Sequence, residues 1–257
     1  MVAARVIVTR PARETARWVD DLRAAGLDAV ALPLIGIEPL DDLHDLHAAW
    51  QRLSEYAALM FVSAAAAEHF FRGAGTLPSS AHLRFWATGP GTCRALQQAG
   101  VPASLIDAPA ADAAQFDSEA LWERVHSQVH PGVRVLIVRG GDAAGQPTGR
   151  DWLRREIAAA GGACDTVVAY RRLPPSLGTA ERRIATEGAA GDAIWLFGSS
   201  EAIANLHRAL PDVDWCSARA IATHARIAEA ARHAGFGHVC VSQPGLAALV
   251  ASIESFA

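Results

Sequence analysis

Hydroxyls, glycines and arginines recur in this chain just after short apolar runs. Thr9-Arg10 follows Val6-Ile7-Val8, and Ser63-Ala64 follows Phe61-Val62. Thr88-Gly89-Pro90-Gly91-Thr92 follows Phe85-Trp86-Ala87, and Arg139-Gly140-Gly141 follows Val135-Leu136-Ile137-Val138. Ser199-Ser200 and Thr223-His224 complete the set. Where an apolar strand feeds a helix, such turns present free backbone N–H groups and the positive end of the helix dipole, which favour anions. Ser and Thr are also ordinary helix N-caps, so no single turn is decisive. Six together imply a large polyanion, rich in carboxylate or phosphate. The candidate binding residues are Arg10, Ser63, Ala64, Thr88, Gly89, Arg139, Gly140, Ser199, Ser200 and Thr223.

One residue could move a proton. Of the two tyrosines, Tyr56 sits at a helix-to-strand junction and reads as packing. Tyr170 is expected to end a strand, next to Arg171-Arg172, where it is either an interfacial aromatic plug or a phenol able to donate a proton.

Other chemistries are excluded or weak. The chain has no lysine, so all 23 basic residues are arginine. Schiff-base, pyridoxal-phosphate, Walker A and kinase-type lysine chemistry are impossible. Gly89-Pro90-Gly91 is not a dinucleotide fingerprint, and no GxSxG nucleophile elbow occurs. His44 and His47 lie among Asp41, Asp42 and Asp45 and read as a solvated helix face, so no metal site is expected. The net charge of −4 argues against a nucleic-acid partner.

The elements that must hold these residues follow from the apolar pattern. Strands are expected at residues 6–8, 29–32, 58–62, 85–87, 135–138, 166–169, 194–197, 220–222 and 238–241, and helices at 18–25, 92–99, 152–160 and 227–234. Alternating apolar strands and helices predict parallel sheets covered on both faces, in two doubly wound, flavodoxin-like lobes facing a common cleft. At 257 residues the chain suits two domains. Residues 36–42 and 171–175, which carry proline and charge, are expected as connectors.

The chain also repeats itself. Arg5–Arg10 matches Arg134–Arg139 at an offset of 129, Phe61–Ala64 matches Phe197–Ser200 at 136, and Ala87-Thr88 matches Ala222-Thr223 at 135. The order is A-B-A′-B′. The four cysteines (Cys93, Cys164, Cys216, Cys240) form no CxxC pair and are expected as small buried residues in a reducing compartment. The N-terminus shows no signal-peptide pattern and no run spans a bilayer, so a cytoplasmic protein without membrane association is expected.

Taken in order, Val8-Thr9-Arg10-Pro11, Leu32-Pro33-Leu34-Ile35, Phe61-Val62-Ser63, Ala87-Thr88-Gly89-Pro90-Gly91-Thr92 and Phe116-Asp117-Ser118-Glu119-Ala120-Leu121 resemble the uroporphyrinogen-III synthase family. So do Val138-Arg139-Gly140-Gly141, Gly149-Arg150-Asp151-Trp152-Leu153, Tyr170-Arg171-Arg172, Phe197-Gly198-Ser199-Ser200-Glu201-Ala202 and Arg226-Ile227-Ala228-Glu229-Ala230-Ala231. The chain departs from the family pattern at Ala65, where Asn is common, and at Val62 and Gly198, where Thr is common.

The resemblance implies that linear hydroxymethylbilane loses water and closes to uroporphyrinogen III with its last ring inverted, a hydro-lyase step of heme biosynthesis. It implies no metal, no organic cofactor and a monomer acting on a linear tetrapyrrole with many carboxylates. It implies that A pairs with B′ and B with A′, giving a first lobe of residues 1–35 plus 176–257 and a second of 43–170. Tyr170 matches the tyrosine thought to help the hydroxyl leave. The alternative from another class is a two-lobed polyanion-binding or sensor protein.

Overall fold

A computed structural model describes residues 5–72, 83–110 and 113–256. Residues 1–4, part of the stretch read above for a leader, lie outside the described residues. The chain divides into two compact units, Met1–Gly36 with Leu173–Ala257, and Ile37–Arg172.

Unit 1 holds a parallel sheet of five described strands: β1 (Arg5–Val8), β2 (Ala29–Ala31), and then, late in the chain, β9 (Ala193–Phe197), β10 (Arg219–Ala222) and β11 (His238–Val241). Their order is β11-β10-β9-β1-β2, so the first strand is completed by residues near the other end of the chain. Unit 2 holds β3 (Gly36–Pro39), β4 (Ala58–Phe61), β5 (Arg84–Ala87), β6 (Ile106–Asp107), β7 (Arg134–Gly141) and β8 (Ala163–Leu173), in the order β3-β8-β7-β4-β5-β6. The ladders from β8 to β6 are all parallel.

Strands buried on both faces explain the continuous apolar runs. In unit 2, Leu59, Phe61, Phe85, Leu136 and Val138 face helices α3 (Ala64–Phe71) and α4 (Pro90–Gln98). Met60, Trp86, Val135 and Ile137 face α5 (Ser118–Val125) and α6 (Trp152–Ala159) through Leu121, Leu153 and Ile157. A short helix, α2 (His44–Gln51), adds Leu46 and Ala49 to the first of these layers.

In unit 1, Val6, Val8, Ile194, Leu196 and Ile221 pack on α1 (Ala12–Ala24) and α10 (Leu246–Phe256). On the other side Trp195, Phe197, Trp215 and Phe236 form a mutual aromatic cluster. Helices α7 (Thr179–Ala189), α8 (Ser200–Ala209) and α9 (Ala225–His233) complete the unit. Burying each large side chain contributes about 1.5–3 kcal/mol, so these layers fix where the strand ends fall. No helix among the described residues is long and apolar enough to cross a membrane.

Several elements differ from expectation. α1 begins at Ala12, not Trp18, because Pro11 and Glu14 open it; the polar stretch 12–17 carries no apolar period. Two strands were not expected. β3 lies within residues 36–42, where Pro39 is tolerated at a sheet edge. The two-residue β6 is anchored by Asp107, which pairs with Arg84 at 2.6 Å. β8 runs on to Leu173, so Tyr170 stands inside a strand and not at its end, and Arg171–Leu173 are strand, not connector. Cys93, Cys164 and Cys240 are half-buried, but Cys216 is exposed, contrary to expectation. It lies in the loop before β10, where its amide bonds Asp214 Oδ1 at 2.9 Å.

Candidate active site

The strand order places the candidate residues of unit 2 side by side. On four adjacent strands, β7 carries Arg139 and Gly140 near its C-terminal end, β4 and β5 deliver Ser63-Ala64 and Thr88-Gly89 just past theirs, and β8 carries Tyr170 within the strand, in register with Gly140. This is the edge where open parallel sheets bind ligands.

Ser63 is extended and caps α3, its Oγ accepting from the Ala66 amide at 3.1 Å. The N–H groups of Ala64 and Ala65 have no acceptor within the helix. The Tyr170 hydroxyl lies 3.3 Å from Ser63 Oγ, within hydrogen-bonding reach. The Tyr170 ring is 4% exposed and packs at 5.5 Å from the His69 ring. It lies directly over Gly140: a Cβ there would fall 2.5 Å from Cζ and 2.8 Å from the hydroxyl oxygen. Only glycine leaves the phenol that position. Thr88 instead donates its hydroxyl to the Val62 carbonyl at 3.2 Å, tying β5 to β4. Gly89 stands at the N-cap of α4 without a side-chain cap.

Arg139 is buried beside a strand irregularity between itself and Gly140. Its one ion-pair partner among the described residues is Asp151, at 3.7 Å. Burial lowers its pKa, against the pull of Asp151 and with the nearby Arg172 adding to the fall.

Unit 1 carries the matching residues on β1, β9 and β10. Arg10 lies over the Trp18 ring, 4.7 Å from its centroid, and donates to Glu14 at 3.3 Å. Burial pushes its pKa down, and its Nε has no hydrogen-bond partner among the described residues. Ser199 caps α8, accepting from the Glu201 amide at 3.1 Å, and Ser200 is the helix's first residue. Thr223 is buried and does not cap; the cap of α9 is His224, whose Nδ1 accepts from Arg226 N at 3.1 Å. In each unit, therefore, Arg, Ser and Thr follow one another across three adjacent strands.

His44 and His47 join no group of three or more metal-ligating side chains among the described residues. Tyr56 is a packing residue with a polar tie, its hydroxyl donating to Asp165 at 2.8 Å. Sequence reasoning missed the surroundings of Arg139: Gly149, Thr148 and Arg172. Gly149-Arg150-Asp151 was visible as a motif, but its contact with Arg139 is not encoded in spacing.

The model of the family described as uroporphyrinogen-III synthase matches residues 16–251. A curated uroporphyrinogen-III synthase of Chlorobaculum parvum is 28% identical over 184 residues, covering 69% of this chain and 67% of that one. The fold is similar to crystal structures of a uroporphyrinogen III synthase mutant from Thermus thermophilus (TM-score 0.57, 15% identity, 98% of each chain) and of the Helicobacter pylori enzyme (TM-score 0.58, 15% identity, 99% and 100%). With a family match over most of its length and the fold to go with it, this chain belongs to the uroporphyrinogen-III synthase family.

Proposed function

We propose that the chain is a hydro-lyase that closes hydroxymethylbilane to uroporphyrinogen III, with inversion of ring D. The observation that carries the site assignment is the Tyr170 hydroxyl, held 3.3 Å from the Ser63 Oγ that caps α3, at the edge of the sheet where ligands bind. Tyr170 donates its proton, or a hydrogen bond, to the terminal hydroxyl as the C–O bond breaks. Water leaves and an azafulvene cation remains. The substituted α-carbon of ring D attacks that methylene carbon to give a spiro intermediate. Its bond to the original bridging methylene then breaks, leaving an azafulvene cation on the neighbouring ring, and the other α-carbon of ring D attacks the freed methylene and loses its proton. Ring D is thereby inverted, one water has left, and no oxidant or reductant is consumed.

The other residues hold carboxylates. The first-turn amides of α3, α4 and α8, with Ala64, Gly89 and Ser200, suit anions. Ser63, Thr88, Ser199 and Thr223 frame these turns, and Arg10 and Arg139 supply charge-assisted bonds. Much of the rate comes from holding the chain's reacting atoms in reach. The cysteines are unpaired, in keeping with a reducing compartment, and we place the enzyme in the cytoplasm as a single chain.

The test is incubation with freshly made hydroxymethylbilane, oxidation, and chromatography of the porphyrins. Isomer III is expected. Isomer I alone, at the spontaneous rate, would overturn the proposal. Unchanged turnover in Tyr170→Phe would remove Tyr170 from the mechanism.

A further inference from the structure

A hairpin follows β7 and folds back on it. Gly141 bridges Pro147, Asp142 N donates to Gln146 O at 2.9 Å, and Asp142 Oδ1 accepts from the amides of Ala144 and Gln146, both at 2.9 Å. The chain leaves this hairpin through Thr148 and Gly149. Gly149 takes φ +113, and a Cβ on it would collide with Arg139 Nη2. The glycine thus gives the guanidinium its seat.

That guanidinium is in an unusual state. Arg139 is 8% exposed, and its guanidinium makes no hydrogen bond to a described residue. Its Nε is wholly buried without a partner. Among the described residues the only carboxylate within ion-pair distance, Asp151 at 3.7 Å, is 63% exposed on its side chain. A second arginine stands beside it: Arg172, on the neighbouring strand β8, donates to Thr148 Oγ1 and contributes to the lowered pKa of Arg139.

A guanidinium carries five donors in a fixed fork, and burying it without hydrogen bonds is costly. A second positive charge nearby adds to the cost. An anion seated against the fork removes both penalties through bidentate, charge-assisted bonds. We propose that Arg139 and Arg172, with the Thr148 hydroxyl, form an anion subsite at the end of β7 that takes one carboxylate of the substrate. The identity of that carboxylate's carrier rests on the synthase reading; the subsite itself does not.

The test uses the full chain with Arg139→Met and Arg139→Lys. The thermal midpoint is followed in sodium citrate and in sodium chloride of matched ionic strength, and KM and kcat are measured with hydroxymethylbilane. Citrate should raise the wild-type midpoint, because a ligand that binds only the folded state stabilises it. Arg139→Met should lose that rise while its midpoint without citrate is no lower than wild type. Its KM should rise about tenfold or more, with a smaller change in kcat. Arg139→Lys, which keeps charge but not the fork, should recover part of both effects.

Equal citrate stabilisation of wild type and Arg139→Met, or a lower Arg139→Met midpoint with unchanged KM, would overturn the subsite. If Arg139→Met does not fold, equal citrate stabilisation of wild type and Arg139→Lys overturns it instead. If wild type makes no isomer III, the synthase reading fails, and the citrate comparison still decides the subsite.

Discussion

Gly140→Ala tests whether the phenol's position matters. The added Cβ would lie 2.5 Å from Tyr170 Cζ and 2.8 Å from its oxygen, whereas carbon atoms rest about 3.5–4.0 Å apart. The ring must retreat by about 1 Å. It cannot do so freely, because it is packed in a core with Phe61 and Ala169 and stands against His69. Overpacking of this kind costs about 1–3 kcal/mol of stability, and a misplacement of about 1 Å costs about 100-fold in rate. The assay is the initial rate of isomer III formation, with circular-dichroism melting to confirm that the variant is folded. Tyr170→Phe alone should lose about 10²–10⁴-fold if the phenol acts as a proton donor. In the Tyr170→Phe background, Gly140→Ala should then cost no more than about twofold, since the group it displaces is already gone. A folded Gly140→Ala with wild-type rate would refute the reasoning. So would an equal loss in both backgrounds.

Ser63→Ala and Ser199→Ala each remove an N-cap bond and should each cost about 1 kcal/mol in urea unfolding; Ser63→Ala should slow turnover more, because Ser63 also stands beside Tyr170. Tyr56 predicts a loss of stability in alkali. Burial first, and then its bond to Asp165, push its pKa from 10.0 up to about 12. The folded state favours the protonated phenol, so its contribution is complete below pH 10 and is lost as pH rises from about 10 through 12. Tyr56→Phe should therefore lose less stability across that window in urea unfolding, and an equal loss would refute the assignment.

The repeat was legible to the level of single register partners across neighbouring strands. At offsets of 129 and 136, the pairing of Val6 with Ile194 maps onto that of Val135 with Ala58, and Val8 with Leu196 onto Ile137 with Met60. At 136 and 135, Phe197 with Ala222 maps onto Phe61 with Ala87. Apolar runs buried on both faces carry that signal strongly, and the turns that follow them place Arg, Ser and Thr. What stayed hidden was of two kinds. Edge and polar elements such as β3, β6 and the first turns of α1 have no apolar period to read. Contacts across the sheet leave no trace in spacing either: Tyr170 over Gly140, and Arg139 against Gly149, depend on side chains that are absent.

The strand order also dictates when each unit can be finished during synthesis. Every strand of unit 2 lies between residues 36 and 173, so its sheet can assemble while the rest of the chain is still being made. β1 must wait: Arg5 pairs with Ala193, and until β9 emerges the apolar Val6-Ile7-Val8 has only β2 beside it. Pairing so distant in sequence is slow, and an unpaired strand edge is prone to wrong partners. A nascent chain therefore carries β1 with one edge open to wrong partners until β9 has been translated.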